Sequence, residues 1–263
     1  MDYVLHVAVM VSLYAILASS FNLLIGYAGL FALSHAAFFG VGAYATAILA
    51  ATYGIPFPLP LIAGILVTAA LGVLIALPAL RIGGDYLVIV TLALQIIVTT
   101  VLLNWTDMTG GTDGIRAIPR IEVFGVALDS PGSFLPLAVA FAVACYAIAW
   151  RLGASPFGRA LKAMRENEAA TQAIGKNVVA MKLWVFAIAA ALASVAGSLY
   201  AHYVTFVSAE SFTVELTIYL LAMVILGGTG NLAGSLVGAV VLAVLPELLK
   251  FVDMPSDIAD KVR

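Results

Sequence analysis

The chain has 263 residues, 63% of them hydrophobic and only 10% charged, with a net charge of -2. An ordinary soluble domain is about one-quarter charged, so this composition excludes one, and polar residues this sparse indicate neither nucleic-acid binding nor an acidic soluble substrate. Cys145 is the lone cysteine, which excludes a disulfide framework and a thiolate metal cluster.

Residues 3–80 contain no Asp, Glu, Lys or Arg, and uncharged apolar stretches of about 18 residues or more are candidate membrane spans. The start, MDYVLHVAVM, lacks a basic n-region and an A-x-A cleavage site, so the first run is read as a retained span and not a removable signal peptide. Apolar runs follow at 4–25, 36–53, 58–80, 86–104, 133–150, 183–207 and 216–250, the last interrupted by glycines. At about 20 residues per crossing these make roughly eight helical passes or half-passes. A barrel is excluded because the runs are apolar on every face instead of alternating. The expected fold is all-α, a polytopic transmembrane helical protein with Gly-broken helices, forming one membrane domain over 1–263.

Pro56, Pro58 and Pro60 mark a tight connection after the second run. The longest polar connection, 105–132, carries Asp107, Asp113, Glu122 and Asp129 against Arg116 and Arg120, and its acid excess predicts an external loop. Residues 151–182 hold Arg151, Arg159, Lys162, Arg165, Lys176 and Lys182 against Glu166 and Glu168. The positive-inside rule places that island, and the short turn at Arg81, in the cytoplasm. Counting back through three spans puts the N-terminus outside.

Small residues recur at helical contact spacing in Gly64, Thr68 and Gly72, in Ala190, Ser194 and Ser198, and in Gly230, Gly234 and Gly238. Such stripes let helix backbones approach closely in lipid, and packing is favoured over a direct substrate role. Two places differ in kind: Gly26-Tyr-Ala-Gly29 leading to Leu33-Ser-His, and Gly227-Gly-Thr-Gly-Asn-Leu-Ala-Gly234. Each breaks an apolar run, and unwound backbone at membrane depth is tolerated only inside protein or beside water. Paired breaks in the two halves of a chain point to a transport pathway and an internal repeat. The path candidates are therefore Gly29, Ser34, His35, Gly228, Thr229 and Asn231.

Within the spans His35, His202 and Glu247 are the ionisable exceptions, each weighed as a packing or interfacial residue against a relay. His6, Asn22, Gln95 and Asn104 are read as hydrogen-bonding between helices. Ser198 and His202, four residues apart, could share a helix face as in an intramembrane hydrolase, but no orienting carboxylate or oxyanion site accompanies them. No catalytic residues, metal ligands or cofactor are expected.

The island itself reads as a helix. Pro156 suits the first turn, the residues from Gly158 to Ala173 are mostly good helix formers, and Gly175 is a C-terminal stop. Ala160, Leu161 and Met164 can share its apolar side while Arg159, Lys162, Arg165 and Glu166 stay wet. On composition alone such a segment is either a solvated connector or an amphipathic helix that docks on a partner or the membrane. Gly175-Lys176-Asn177 lacks the glycine and hydroxyl of a phosphate loop, so any ATP must be bound elsewhere.

Glu168-Ala-Ala followed by Gly175 resembles the loop with which permease subunits of ABC importers engage their ATPases, with four residues between Ala170 and Gly175 where the general motif has three. SPFGRALKAMRENEAATQAIG, GYAGLFALSHAAFFGVGAYATAIL, and the run from Phe206-Val-Ser to GGTGNLAGSLVGAVVL and Leu245-Pro-Glu-Leu are together similar to the branched-chain amino-acid permease family, its LivM-like branch. The resemblance implies a permease subunit in the bacterial inner membrane, forming half of a translocation pathway for branched-chain or other hydrophobic amino acids. It implies as partners a second homologous permease, two ATP-binding subunits and a periplasmic binding protein. On it, Gly158, Arg159, Ala163, Arg165, Glu166, Glu168, Ala169 and Gly175 are the ATPase-coupling residues. The family usually continues past Leu-Pro-Glu into another apolar helix and a basic tail, so an end at Arg263 suggests a truncated sequence. An ion-coupled secondary transporter of small polar solutes is the alternative, and the motifs do not separate a leucine-like cargo from urea or another amide.

Overall fold

The computed structural model describes residues 2–81, 85–123 and 126–251; the turn expected after Arg81 and the chain end at Arg263 lie outside them. The membrane helices are α1 (Asp2–Asn22, extended by a wider π-helical turn, Leu23–Tyr27), α2 (His35–Ala47, widened likewise over Ile48–Thr52), α3 (Leu59–Arg81) and α4 (Asp85–Asn104). After a short α5 (Thr106–Thr109) come α6 (Pro131–Ala154), α7 (Pro156–Glu166), α8 (Glu168–Ala173), α9 (Val178–Val204), α10 (Val214–Gly227) and α11 (Leu232–Phe251). Six of these described helices are long and apolar enough to cross a membrane, and α10 and α11 are shorter apolar helices. The chain is a multi-pass helical membrane protein.

Helix α9 is buried along most of its length and packs most extensively on α2 and α3. Small residues make this possible. A Cβ on Gly42 would stand 2.5 Å from Ser194 Oγ, and one on Gly72 would stand 2.8 Å from both Ala190 Cβ and the Phe186 carbonyl. Close approach gives dispersion contacts that lipid would otherwise supply, which is how helices associate without a hydrophobic drive.

The bundle has a basic end and an acidic end. At the basic end Tyr27, closing α1, packs on Gly153 of α6 and carries the Lys162 ammonium 4.6 Å above its ring. At the other, His202 Nδ1 donates to the Pro119 carbonyl (2.7 Å) and Phe57 meets the His202 ring edge-on at 6.0 Å. The 105–132 connection there is not featureless. Strand β1 (Ile115–Arg116) pairs antiparallel with β4 (Phe206–Val207), and β2 (Glu122–Val123) with β3 (Val126–Ala127).

Two chain reversals enter the bundle from opposite ends. Helix α1 runs to the basic end, residues 28–34 turn back without helix, and α2 begins inside, where His35 Nε2 lies 2.9 Å from Ser20 Oγ. Helix α9 runs to the acidic end and stops at Thr205 in the left-handed region. Residues 206–213 then fold inward until Phe212 packs against Phe39 and Gly40, and α10 starts inside and runs back to the basic end. The spatial counterpart of the 26–34 break is thus 205–213, which corrects the sequence-based pairing with 227–234. The latter glycines form the hairpin between α10 and α11, where Gly227 and Gly234 touch through their backbones.

The basic island is also corrected. It is two helices, α7 and α8, broken at Asn167, whose backbone is extended and whose Oδ1 caps α8 by accepting from Ala170 N (2.9 Å). Asn167 satisfies the orphan donors of a new helix start better than it continues an old one.

Candidate translocation and coupling sites

The sequence-derived path and coupling residues fall into two groups. Ser34 and His35 belong to a junction inside the bundle. Helices α2 and α10 both begin there without a side-chain cap of their own. The backbone at the start of α2 is satisfied from other helices: Thr91 Oγ1 accepts from Leu33 N (2.9 Å), Thr217 Oγ1 from Ala36 N (3.0 Å), and Gln95 Oε1 from Ala37 N (2.7 Å). Gln95 Nε2 donates to the Phe212 carbonyl (2.8 Å), so one amide holds both reversals. Thr91, Gln95 and Thr217 are fully buried. Gln95 is one of the polar residues expected to join helices; Thr91 and Thr217 are the ones sequence reasoning missed. The available signal was Thr91, Gln95 and Thr99 at four-residue spacing, which lines one face of α4. His35 stacks on Phe21 at 4.4 Å between ring centroids and is walled off from solvent.

Arg165, Gly29 and Asn231 meet at the basic end, together with Asn22, Gly26 and Gly230. The Asn22 amide clasps the α10–α11 hairpin, accepting from Gly230 N (2.8 Å) and donating to the Asn231 carbonyl (2.9 Å). Arg165 Nη1 donates to the Gly26 carbonyl (2.7 Å) in the last turn of α1. That turn is π-helical and returns Leu30 N to the Leu24 carbonyl (2.9 Å). A cation at a helix C-terminus meets carbonyls that the helix itself cannot pair and the negative end of its dipole. Gly29 has a φ of +68°, and a Cβ there would lie 2.7 Å from Arg165 Cγ. Arg165 is exposed, as expected, and its guanidinium also reaches the end of α1. Gly228, at φ +93°, and the exposed Thr229 form the tip of the adjoining hairpin.

The other island residues divide by direction. Leu161 and Met164 are buried against the bundle, while Ala163, Glu166 and Ala169 are exposed. Gly158 fits under the Leu152 and Gly153 carbonyls at the α6–α7 elbow, and Arg159 Nη1 donates back to the Ala154 carbonyl (3.0 Å). Gly175, at φ +80°, lies in open space just past α8. Glu168 is committed internally, with both carboxylate oxygens 2.9 Å from Lys182 Nζ.

Ser198 Oγ has no hydrogen-bond partner and His202 gives its Nδ1 to Pro119, so the two do not form a nucleophile pair. Among the described residues no group of three or more His, Cys, Asp or Glu could hold a metal ion. Asn104 bonds within its own helix, to the Thr100 carbonyl (2.8 Å), and not between helices.

A transmembrane bundle with inward chain reversals and an amphipathic connector at one end is the architecture of a permease. Residues 3–263 match the family described as branched-chain amino acid transport system / permease component, and the chain belongs to it. It is 37% identical to the high-affinity branched-chain amino acid transport system permease protein LivM of Salmonella typhimurium, over 93% of this chain and 63% of that protein. Identity to the Escherichia coli protein of the same name is 36%, with the same coverage. The ribose import permease protein RbsC of Haemophilus influenzae is 30% identical over 76% of this chain and 61% of its own length. The chain therefore spans less than two-thirds of the length of these relatives. No solved structure matches.

Proposed function

We propose that this chain is the membrane permease subunit of an ATP-driven importer for branched-chain and other hydrophobic amino acids in the bacterial inner membrane. It works beside a second, related permease, two ATP-binding subunits and a periplasmic binding protein that delivers the cargo. The observation that carries this reading is α7. Its apolar side and Arg165 hold it to the bundle, while its Ala163 and Glu166, and Ala169 of α8, stand outward at the basic end. A helix held on one face and bare on the other suits a partner's groove. The cargo rests on the relatives named for branched-chain amino acids. A relative named for ribose import argues that this architecture does not by itself choose the cargo, so selection falls largely to the binding protein.

The test is Ala163→Trp in the reconstituted complex. Ala163 is exposed, so tryptophan there adds bulk to the docking face, and leucine-stimulated ATP hydrolysis should fall about tenfold, equivalent to a loss of about 1.4 kcal/mol at the interface. Leucine binding by the isolated binding protein should not change. A purified chain that transports on a proton or sodium gradient without any ATPase would replace this reading with an ion-coupled transporter.

A further inference from the structure

The outward residues of α7 explain how it could be gripped, but not how its movement would reach the pathway. Of its three cations, Arg159 bonds back to its own elbow at Ala154, Lys162 covers the Tyr27 ring, and Arg165, in the last turn, reaches the Gly26 carbonyl. Gly26 is one turn from Asn22, and Asn22 is the residue that clasps Gly230 and Asn231. The bonds are continuous from α7 through the end of α1 to the α10–α11 hairpin. The backbones at this point are closely packed. A Cβ on Gly26 would collide with Asn22 Oδ1 and Gly230 N, and one on Gly230 would stand 3.1 Å from the Gly26 carbonyl and 3.3 Å from Arg165 Nη1. The carbonyl that Arg165 takes belongs to a π-helical turn, a local widening that often marks functional positions in helices.

We propose that Arg165 is a positioning residue that couples α7 to the inner ends of α1, α10 and α11, and is not part of the ATPase-docking face. The inference rests on the functional reading above. When a partner moves α7, the guanidinium draws the end of α1 with it, and the Asn22 clasp carries the hairpin along. Docking and transmission are then separate properties of one helix, carried outward by Ala163 and Glu166 and inward by Arg165.

The experiment compares Arg165→Ala, Arg165→Lys and Lys176→Ala in the full complex in liposomes, with leucine-loaded binding protein on the outside. ATP hydrolysis and leucine uptake are measured on the same vesicles. For Arg165→Ala the ATP consumed per leucine imported should rise about tenfold, the low end of what a charge-assisted hydrogen bond is worth. Arg165→Lys, which keeps the charge but not the fork, should restore part of the ratio. Lys176→Ala, which removes an exposed island cation just past α8, should leave the ratio unchanged. Hydrolysis and uptake falling together in Arg165→Ala, at equal recovery of complex, would make the residue structural and overturn the inference, as would a wild-type ratio. Should Arg165→Ala fail to assemble, Arg165→Lys decides, and an unchanged ratio there also overturns it. A wild-type complex that imports no leucine under ATP hydrolysis sinks the functional reading first and this inference with it.

Discussion

The junction at Gln95 and the clasp at Asn22 do similar work with different chemistry. Both use a side-chain amide to hold backbone groups where a helix is interrupted, and both join segments far apart in the chain. The inner junction is made only of neutral groups, all buried: Thr91, Gln95 and Thr217. The clasp at the basic end adds cations, with Arg165 on the Gly26 carbonyl and Lys162 over Tyr27. The difference follows from dielectric. A charge inside the bundle would lose several kcal/mol of hydration, whereas neutral amides and hydroxyls satisfy the reversals at little cost. Near water a guanidinium keeps part of its hydration while bonding inward, so it can be reached and moved. The first region is built as a fixed joint and the second as a lever.

The most severe challenge to that contrast is Gln95→Leu. It strands the Phe212 carbonyl in the core at about 1–3 kcal/mol and leaves the Ala37 N–H with only its bond to the Ser34 carbonyl (3.1 Å), so the chain should lose about 3 kcal/mol of stability. Thermal unfolding of the purified protein in detergent would register this as a large fall in midpoint. A near-wild-type midpoint would mean that the reversals stand without their shared amide.

A smaller effect is expected at the charged end. Lys182 is only 6% exposed while Glu168 is 45% exposed. Glu168→Lys sets two ammonium groups against each other and should cost about 2 kcal/mol, less than a fully buried pair because one partner is half in solvent. Combining Lys182→Met with Glu168→Gln should recover much of the loss. Both are read on the chain without its partners, which separates this internal role of Glu168 from any contact with an ATPase. Absence of a stability change in Glu168→Lys would return that residue to the docking face.

The mildest test leaves stability and uptake untouched and asks only which end faces which side. In a Cys145→Ser background, Thr112→Cys should react with an impermeant thiol reagent added to spheroplasts, and Gln172→Cys should not. Gln172 is preferred to its neighbour Thr171 because Thr171 is buried and would stay unlabelled on either side. Equal labelling of both cysteines would remove the assignment of the lever to the cytoplasm.

The helices were legible in the sequence wherever their causes are local. Length and unbroken apolarity mark α1 to α4, α6 and α9, and the glycines at 227–234 mark the separation of α10 from α11. Two local caps were present in the sequence and not read. Ser155 accepts from Gly158 N (3.2 Å) ahead of Pro156, and Asn177 Oδ1 accepts from Ala180 N (3.0 Å). Asn167 carries the same signal. It was overlooked because the residues around it favour helix, and the capping bond outweighed that weak propensity.

Composition and hydropathy, then, determined that this is a helical membrane protein, where its spans lie and which segment is basic, because each depends on transfer of nearby residues between water and lipid. The tertiary structure decided that the second reversal is 205–213, that the exposed Arg165 bonds to the end of α1, and that Glu168 is paired. The helix starts at His35 and Val214 lack caps of their own, and what completes the inner junction comes from α4, at Thr91 and Gln95, and from α10, at Thr217. A buried backbone group must be satisfied by whatever lies within about 3 Å in space, and proximity in space between residues 37 and 95, or 26 and 165, is set by packing the whole bundle.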